Sequence, residues 1–404
     1  MKKSNRDILN MISDEFQKEK ATISLIPSEN VMSDLATSMY SNRVGNRYIL
    51  PLKIGKKYFM PGRENLENIV KILDKKLCSI YKTEFAITKG LSGIHQMDII
   101  MSALINTIKN IVIMDNLNGG HSKTEGIAKK YGFNVRNINL EFKNWEIDYK
   151  KLKLVIDEWK NEKVLVYIDH TITLNPLNVS KLIKKVPENW VIYYDISHLQ
   201  LFYFSHVYNF PKHKNFFFGG STHKTFPGPQ KAIILLNDEN LFNIIDNKFD
   251  KTISSIHTGS LLALLVTVIE MEKFGAKYAK DILRKTRYFA KLLNSELNLV
   301  GPQPHLTNTH QICVDVPNVT ETIQRLASIG IITTPMKIPS TGRTGLRFGI
   351  QEQCRLGLKE KDLKVLSEII ISCINESDTE KNLKNKVKNL AKKLTIVDYI
   401  LPTN

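Results

Sequence analysis

NFFFGGSTHKTFPGPQKAIILL, residues 215–236, sets the reading of the whole chain. Two short apolar runs, NFFFGG (215–220) and KAIILL (231–236), flank a polar turn that carries His223 and Lys224. Short apolar runs bounded by turn residues read as strands buried on both faces. Four more lie upstream: EFAIT (84–88), NIVIMD (110–115), KVLVYID (163–169) and WVIYYD (190–195). Helical stretches separate these four. Strand and helix in alternation predict an α/β fold, with a mainly parallel central sheet flanked by helices. The runs at 215–220 and 231–236 have no helix between them, so part of the sheet is expected to be antiparallel.

Further outward, residues 5–19 read as an amphipathic helix. Leu66, Ile69, Val70, Leu73, Leu77 and Ile80 recur at helical spacing and predict a second. Residues 256–297 predict one long helix or two. Beyond them a strand (310–316), a helix (319–328), a strand (345–349) and a helix (360–373) predict a smaller α+β unit. The expected organisation is an N-terminal helical arm (1–40), a large α/β domain (41–275), a small C-terminal α+β domain (276–375) and a basic tail (376–404).

Composition narrows the class. The 404 residues are 42% hydrophobic and 24% charged, which suits a globular protein. No apolar stretch approaches the ~18 residues of a membrane span, and MKKSNRDILNMISDEF (1–16) has no apolar core of a secretory leader. Cys78, Cys313, Cys354 and Cys373 are far apart, so neither a disulfide framework nor a structural metal is expected, and a cytoplasmic setting is. The net charge is +17, but most of the 57 basic residues are lysine scattered along the chain. Base and phosphate recognition leans on arginine forks, so no nucleic-acid partner is expected. Lys381, Lys384, Lys386, Lys388, Lys392 and Lys393 cluster in the tail and read as a solvated helix face.

In open parallel sheets function gathers at the carboxyl ends of the strands. The strand at 84–88 leads into Gly90, Ser92 and Gly93 before a helix, a turn that offers backbone N–H groups to a phosphate. NGGH places His121 beyond the strand at 110–115. The strand at 190–195 ends in Asp195, with His198 after it, and the strand at 215–220 leads to His223 and Lys224. A strand-end carboxylate can keep a pyridinium protonated, and a neighbouring lysine can form a Schiff base with an aldehyde. With a phosphate-binding helix start and a histidine over the ring, this is the set that pyridoxal 5'-phosphate requires.

LIPSEN (25–30), NRY (46–48), GKKYF (55–59), GGH (119–121), DISH (195–198), STHKTFPGP (221–229) and TGLRFGIQ (344–351) follow one another in the order found in serine hydroxymethyltransferases. From about residue 20 to 375 the chain resembles that family of fold type I pyridoxal-phosphate enzymes. The resemblance implies that Lys224 carries the cofactor, Asp195 pairs with its ring nitrogen and His121 stacks on the ring. It places His198 near the phenolic oxygen. It assigns the phosphate to Ser92, Gly93 and His223, helped by Gly259 of the partner subunit. Arg347 would fork the substrate carboxylate, with Ser28 in support, and Tyr48 of the partner subunit would reach in. A family serine corresponds to the stretch Asp169–His170–Thr171, with Thr171 as its counterpart. The resemblance therefore implies a homodimer with its active site at the interface and a small amino acid as substrate.

Three departures bear on the reaction. The family glutamate two residues after the tyrosine matched to Tyr48 is Leu50, the second tyrosine of its RYY is Phe59, and the arginine after its Gly-Pro is Gln230. The carboxylate and imine machinery is retained while the folate end is altered. The expected activity is aldol or retro-aldol chemistry of the transaldolase kind at the Cα–Cβ bond of serine, threonine or glycine, without folate. A folate-dependent hydroxymethyltransferase is the alternative, with Glu29 or Glu64 as a substitute acid; a fold type I aminotransferase is a further one.

Overall fold

The computed structural model describes residues 4–50, 53–54, 57–58 and 61–402; Phe59 lies outside them. The chain divides into two compact units, Asn30–Lys280 with Tyr399–Asn404, and Met1–Glu29 with Asp281–Asp398.

The larger unit is built on seven strands: β1 (Phe85–Gly90), β2 (Asn110–Met114), β3 (Asn134–Ile138), β4 (Val164–Asp169), β5 (Val191–Asp195), β6 (Phe216–Ser221) and β7 (Ala232–Leu236). Their order is β1-β7-β6-β5-β4-β2-β3. β2 to β6 pair in parallel, while β7 runs antiparallel to β6 and to β1, as the missing helix between 220 and 231 predicts. All six residues of VLVYID and all five of AIILL are buried. Aliphatic and aromatic side chains of one face, among them Ile87, Ile111, Leu165, Tyr167, Tyr193, Phe217 and Ile234, pack with Ile100 and Met101 of the helix Gly93–Leu104. Each large apolar side chain so buried stabilises the fold by roughly 1.5–3 kcal/mol. β3 carries no apolar run in the sequence. Its residues NVRNI bury only Ile138 fully, and the strand exists by backbone pairing along the sheet edge.

Register fixes what lies at the carboxyl end. Asp195 on β5 is paired with Gly219 on β6 and with Asp169 on β4. Paired residues of parallel strands point to one face, so both carboxyls leave the sheet together. Residues 256–297 form one helix, Thr258–Leu293.

The smaller unit holds a four-stranded antiparallel sheet of β8 (Asn298–Val300), β9 (Gln311–Asp315), β10 (Thr334–Lys337) and β11 (Thr344–Gly349), in the order β8-β9-β11-β10. Helices Val319–Ser328 and Glu360–Ile374 belong to it. The stretch read as a basic tail contains a helix, Glu380–Ala391, that buries Leu383, Val387 and Leu390 and turns its lysines outward. The N-terminal helix Asn5–Glu19 opens with a capping box between Ser4 and Asp7 and buries no residue. Among the described residues no helix is long and apolar enough to cross a membrane.

Candidate active site

The carboxyl ends of β4, β5 and β6 open onto a cavity of about 250 Å³ in the larger unit. That is slightly below the ~300–1,000 Å³ typical of small-molecule sites. Eight residues singled out from the sequence line it: Ser92, Gly93, His121, Thr171, Asp195, His198, His223 and Lys224. Gln230 lines it too.

Each is held by local structure. Ser92 caps the helix Gly93–Leu104, its Oγ accepting from the His95 N–H at 3.2 Å. The N–H groups of the first turn and the dipole's positive end belong to this helix start. A Cβ on Gly93 would lie 2.6 Å from Ser221 Oγ and would crowd that side chain in the cradle. Gly220 has φ +137°, and a Cβ there would meet Asp195 Oδ1 at 2.7 Å. Asp195 Oδ1 accepts from the Ser197 N–H at 2.8 Å, and Ser197 Oγ accepts from the Ser221 N–H at 2.7 Å. The turn after β6 is closed by Thr222, whose hydroxyl donates to the Pro229 carbonyl at 2.7 Å. Lys224 Nζ stands 3.5 Å from His198 Nε2.

Burial decides the protonation of the histidines. It pulls His223 down to about 4, with the neighbouring Lys224 charge acting in the same direction. His121 is lowered for the same two reasons, burial first, with Asp195 opposing. Both rings are therefore neutral near pH 7. A neutral imidazole donates one hydrogen bond and accepts another.

Three side chains that carry this architecture were not given roles from sequence. Asn30 donates to the Lys224 carbonyl at 2.7 Å and to the Tyr278 hydroxyl at 3.0 Å, pinning the backbone that presents the lysine. Its place in the LIPSEN box was the available signal. Asp169 and His170 also line the cavity. Asp169 accepts from the Thr124 hydroxyl, and both ring nitrogens of His170 are buried with no hydrogen-bond partner among the described residues.

Tyr48 and Gly259 do not line this cavity. Tyr48 is 56% exposed. Gly259, in the first turn of Thr258–Leu293, has the Gly45 carbonyl 3.5 Å from its Cβ position. Ile256 N–H donates to the Ile49 carbonyl at 2.8 Å and the Thr258 hydroxyl to the Arg47 carbonyl, so the segments that carry exposed Tyr48 and buried Gly259 run side by side. Leu50 on the first of them is half-buried.

Ser28 and Arg347 belong to the smaller unit. Arg347 lies on β11 opposite Cys313 and Thr334, and burial draws its guanidinium down to about 10. The turn bearing Ser28 is sewn to the end of that strand. Gln351 Nε2 donates to the Ile26 and Glu29 carbonyls at 2.9 and 2.6 Å, and Gly349 N–H to the Leu25 carbonyl at 2.8 Å. Glu29 is exposed and accepts from the Ser24 hydroxyl at 2.6 Å, while Glu64 accepts from the Gly62 N–H at 2.9 Å. Among the described residues no cluster of three or more His, Cys, Asp or Glu could hold a metal ion.

The family model described as serine hydroxymethyltransferase matches residues 1–370. A serine hydroxymethyltransferase of Sulfolobus acidocaldarius is 27% identical over 94% of this chain and 90% of its own length. An L-threonine:uridine-5'-aldehyde transaldolase of Amycolatopsis is 27% identical over 90% of each chain. Among solved structures, the L-threonine transaldolase of Pseudomonas fluorescens superposes with a TM-score of 0.89 at 22% identity, covering 97% of this chain and 92% of that one.

Proposed function

We propose a carbon–carbon bond reaction for this chain, which belongs to the serine hydroxymethyltransferase family and is a fold type I enzyme with pyridoxal 5'-phosphate as its cofactor. The reaction is aldol exchange: a β-hydroxy amino acid such as threonine or serine is cleaved between Cα and Cβ, and the glycine unit is reprotonated or added to another aldehyde. Folate takes no part.

The cavity fits the cofactor. A helix start at Gly93 suits its phosphate, Asp195 suits a ring nitrogen, and Lys224 suits an aldehyde, all lining one cavity. When bound, pyridoxal phosphate supplies an electron sink for the pair left at the α-carbon as the bond breaks. The residues of this chain do the rest. Ser92, Gly93 and neutral His223 would hold the phosphate. Asp195, held by the Ser197 N–H, would pair with the ring nitrogen and favour its protonated form. His121 would cover the ring, His198 would lie near the phenolic oxygen, and Thr171 would take the place of the family serine. Lys224, whose Nζ stands 3.5 Å from His198 Nε2, would be the covalent anchor. Arg347, with Ser28 beside its strand, would fork the α-carboxylate.

The observation that carries the folate-free reading is Leu50. Proton transfer needs a titratable group at the reacting atoms, and a hydrocarbon side chain has none. The transaldolases of Amycolatopsis and Pseudomonas fluorescens support exchange with a second aldehyde. Tyr48 and Gly259, on paired segments outside their own chain's cavity, support a homodimer in which each segment serves the other's site. Serine cleavage assayed with and without tetrahydrofolate tests the reading. Equal rates are expected, and a large folate-dependent acceleration would return the chain to the hydroxymethyl-transfer reaction.

A further inference from the structure

Strands β4 and β5 end on two carboxyls in register, Asp169 beside Asp195. Neighbouring strands are ~4.8 Å apart, and the paired side chains leave the same face. Both residues line the cavity. Their surroundings differ. Asp195 is half-buried and accepts a backbone N–H. Asp169 is only 3% exposed. One of its oxygens accepts from the Thr124 hydroxyl, and the other is buried. Thr124 N–H is itself bonded to the His121 carbonyl at 3.2 Å, so the Asp169 carboxyl grips the turn that carries His121.

We propose that Asp169 and Asp195 are a carboxyl pair holding a single negative charge, with the charge on Asp195 and the proton on Asp169, and that neutral Asp169 is a positioning residue for His121. Ionising a buried carboxyl beside a second carboxylate is opposed both by burial and by like-charge repulsion. The titratable side chains that act on Asp169 are Asp195 and Tyr193 from β5 and Tyr167 from its own strand, none of them a cation; Lys224 lines the same cavity. Burial, then the Asp195 charge, holds the Asp169 carboxyl well above the usual range. The arrangement leaves one undiluted anion to face a pyridinium, and in that respect it rests on the reading of the cavity given above.

Infrared difference spectra of the full chain at pH 7, with and without cofactor, test the pair. Subtracting Asp169→Asn from wild type is expected to show the loss of a protonated-carboxyl carbonyl band and no loss of ionised carboxylate. The subtraction matters because burial also raises Glu352, to about 8, so a second protonated acid is present in both proteins. A parallel cofactor titration tests the positioning role. Asp169→Asn keeps both the shape and a hydrogen-bond acceptor for Thr124, so it should bind within about threefold of wild type, whereas Asp169→Ala and Thr124→Val should bind about tenfold more weakly. Loss of a carboxylate band in place of the acid band would overturn the charge assignment. An Asn variant as weak as the Ala variant would overturn the positioning role. If the Ala variant does not fold, Thr124→Val and the infrared arm decide. The infrared arm without cofactor is independent of the reaction: a chain that loses the acid band but never exchanges aldehydes would keep the pair and lose the proposed function.

Discussion

Gly220→Ala is the most demanding test of how the sheet presents Asp195. Gly220 sits on β6, paired with Ile233 on β7, at φ +137°, a region that an L side chain rarely adopts. Its Cβ would lie against Ser197 Oγ, 2.7 Å from Asp195 Oδ1 and 2.8 Å from Ser197 N. Backbone is not free to retreat there, because Gly219 is paired with Asp195 on one side and Ile234 on the other. Overpacking costs about 1–3 kcal/mol, and the unfavourable φ about 1–3 kcal/mol more. The sum is about 2–6 kcal/mol against a typical stability of 5–15 kcal/mol, so the variant should fold but be less stable. The most accessible relief is to push Asp195 aside. Moving it by relief of even ~3 kcal/mol corresponds to about a hundredfold weaker cofactor binding. Urea unfolding of the unloaded protein and an absorbance titration with pyridoxal phosphate read the two effects. Gly126→Ala is the control, since its Cβ position meets nothing within 4 Å inside the helix Thr124–Lys130; it should gain about 0.5–1 kcal/mol. Wild-type stability and cofactor affinity in Gly220→Ala would refute the packing argument.

Three further outcomes are expected. Lys224→Ala should no longer be fixed to the cofactor by borohydride, and peptide mapping of the wild-type protein should find the label on Lys224 alone. Arg347→Lys should raise the dissociation constant of the amino acid by about ten- to a hundredfold, the worth of a charged bidentate contact, while amines without a carboxylate bind unchanged; equal losses would make Arg347 a folding residue. Burial lowers His170 to about 4, so in the folded protein its neutral form is favoured. The unfolded chain takes up the proton first as pH falls below about 6.5. Stability relative to His170→Gln is therefore fully present above pH 6.5 and is lost toward pH 4, by roughly 3 kcal/mol. A pH-independent difference between the two denaturation curves would contradict that burial.

Much of this was legible in the string because apolar runs and strand-end residues are local signals. KVLVYID and WVIYYD announce buried strands, and Asp195, His223 and Lys224 sit where strands must end. What escaped was non-local. β3 carries no apolar run because one edge of a sheet needs only backbone partners. Asp169 is visible as the last residue of its run, but only the register of β4 against β5 sets it beside Asp195. Asn30 holds Lys224 across 194 residues of sequence, which no spacing rule reveals. The lysine cluster after residue 380 drew attention to charge, while Leu383, Val387 and Leu390, at helical spacing among those lysines, bury one face of that helix.

The central claim is an aldehyde exchange that runs without folate. The direct measurement supplies the purified enzyme with threonine and a second, aromatic aldehyde. It quantifies acetaldehyde released and the new β-hydroxy amino acid formed, by mass spectrometry, with and without tetrahydrofolate. The account predicts acetaldehyde release from threonine, incorporation of the second aldehyde into a β-hydroxy amino acid, and rates that tetrahydrofolate leaves unchanged. Absence of any exchange product, with serine cleavage appearing only when tetrahydrofolate is added, would contradict it.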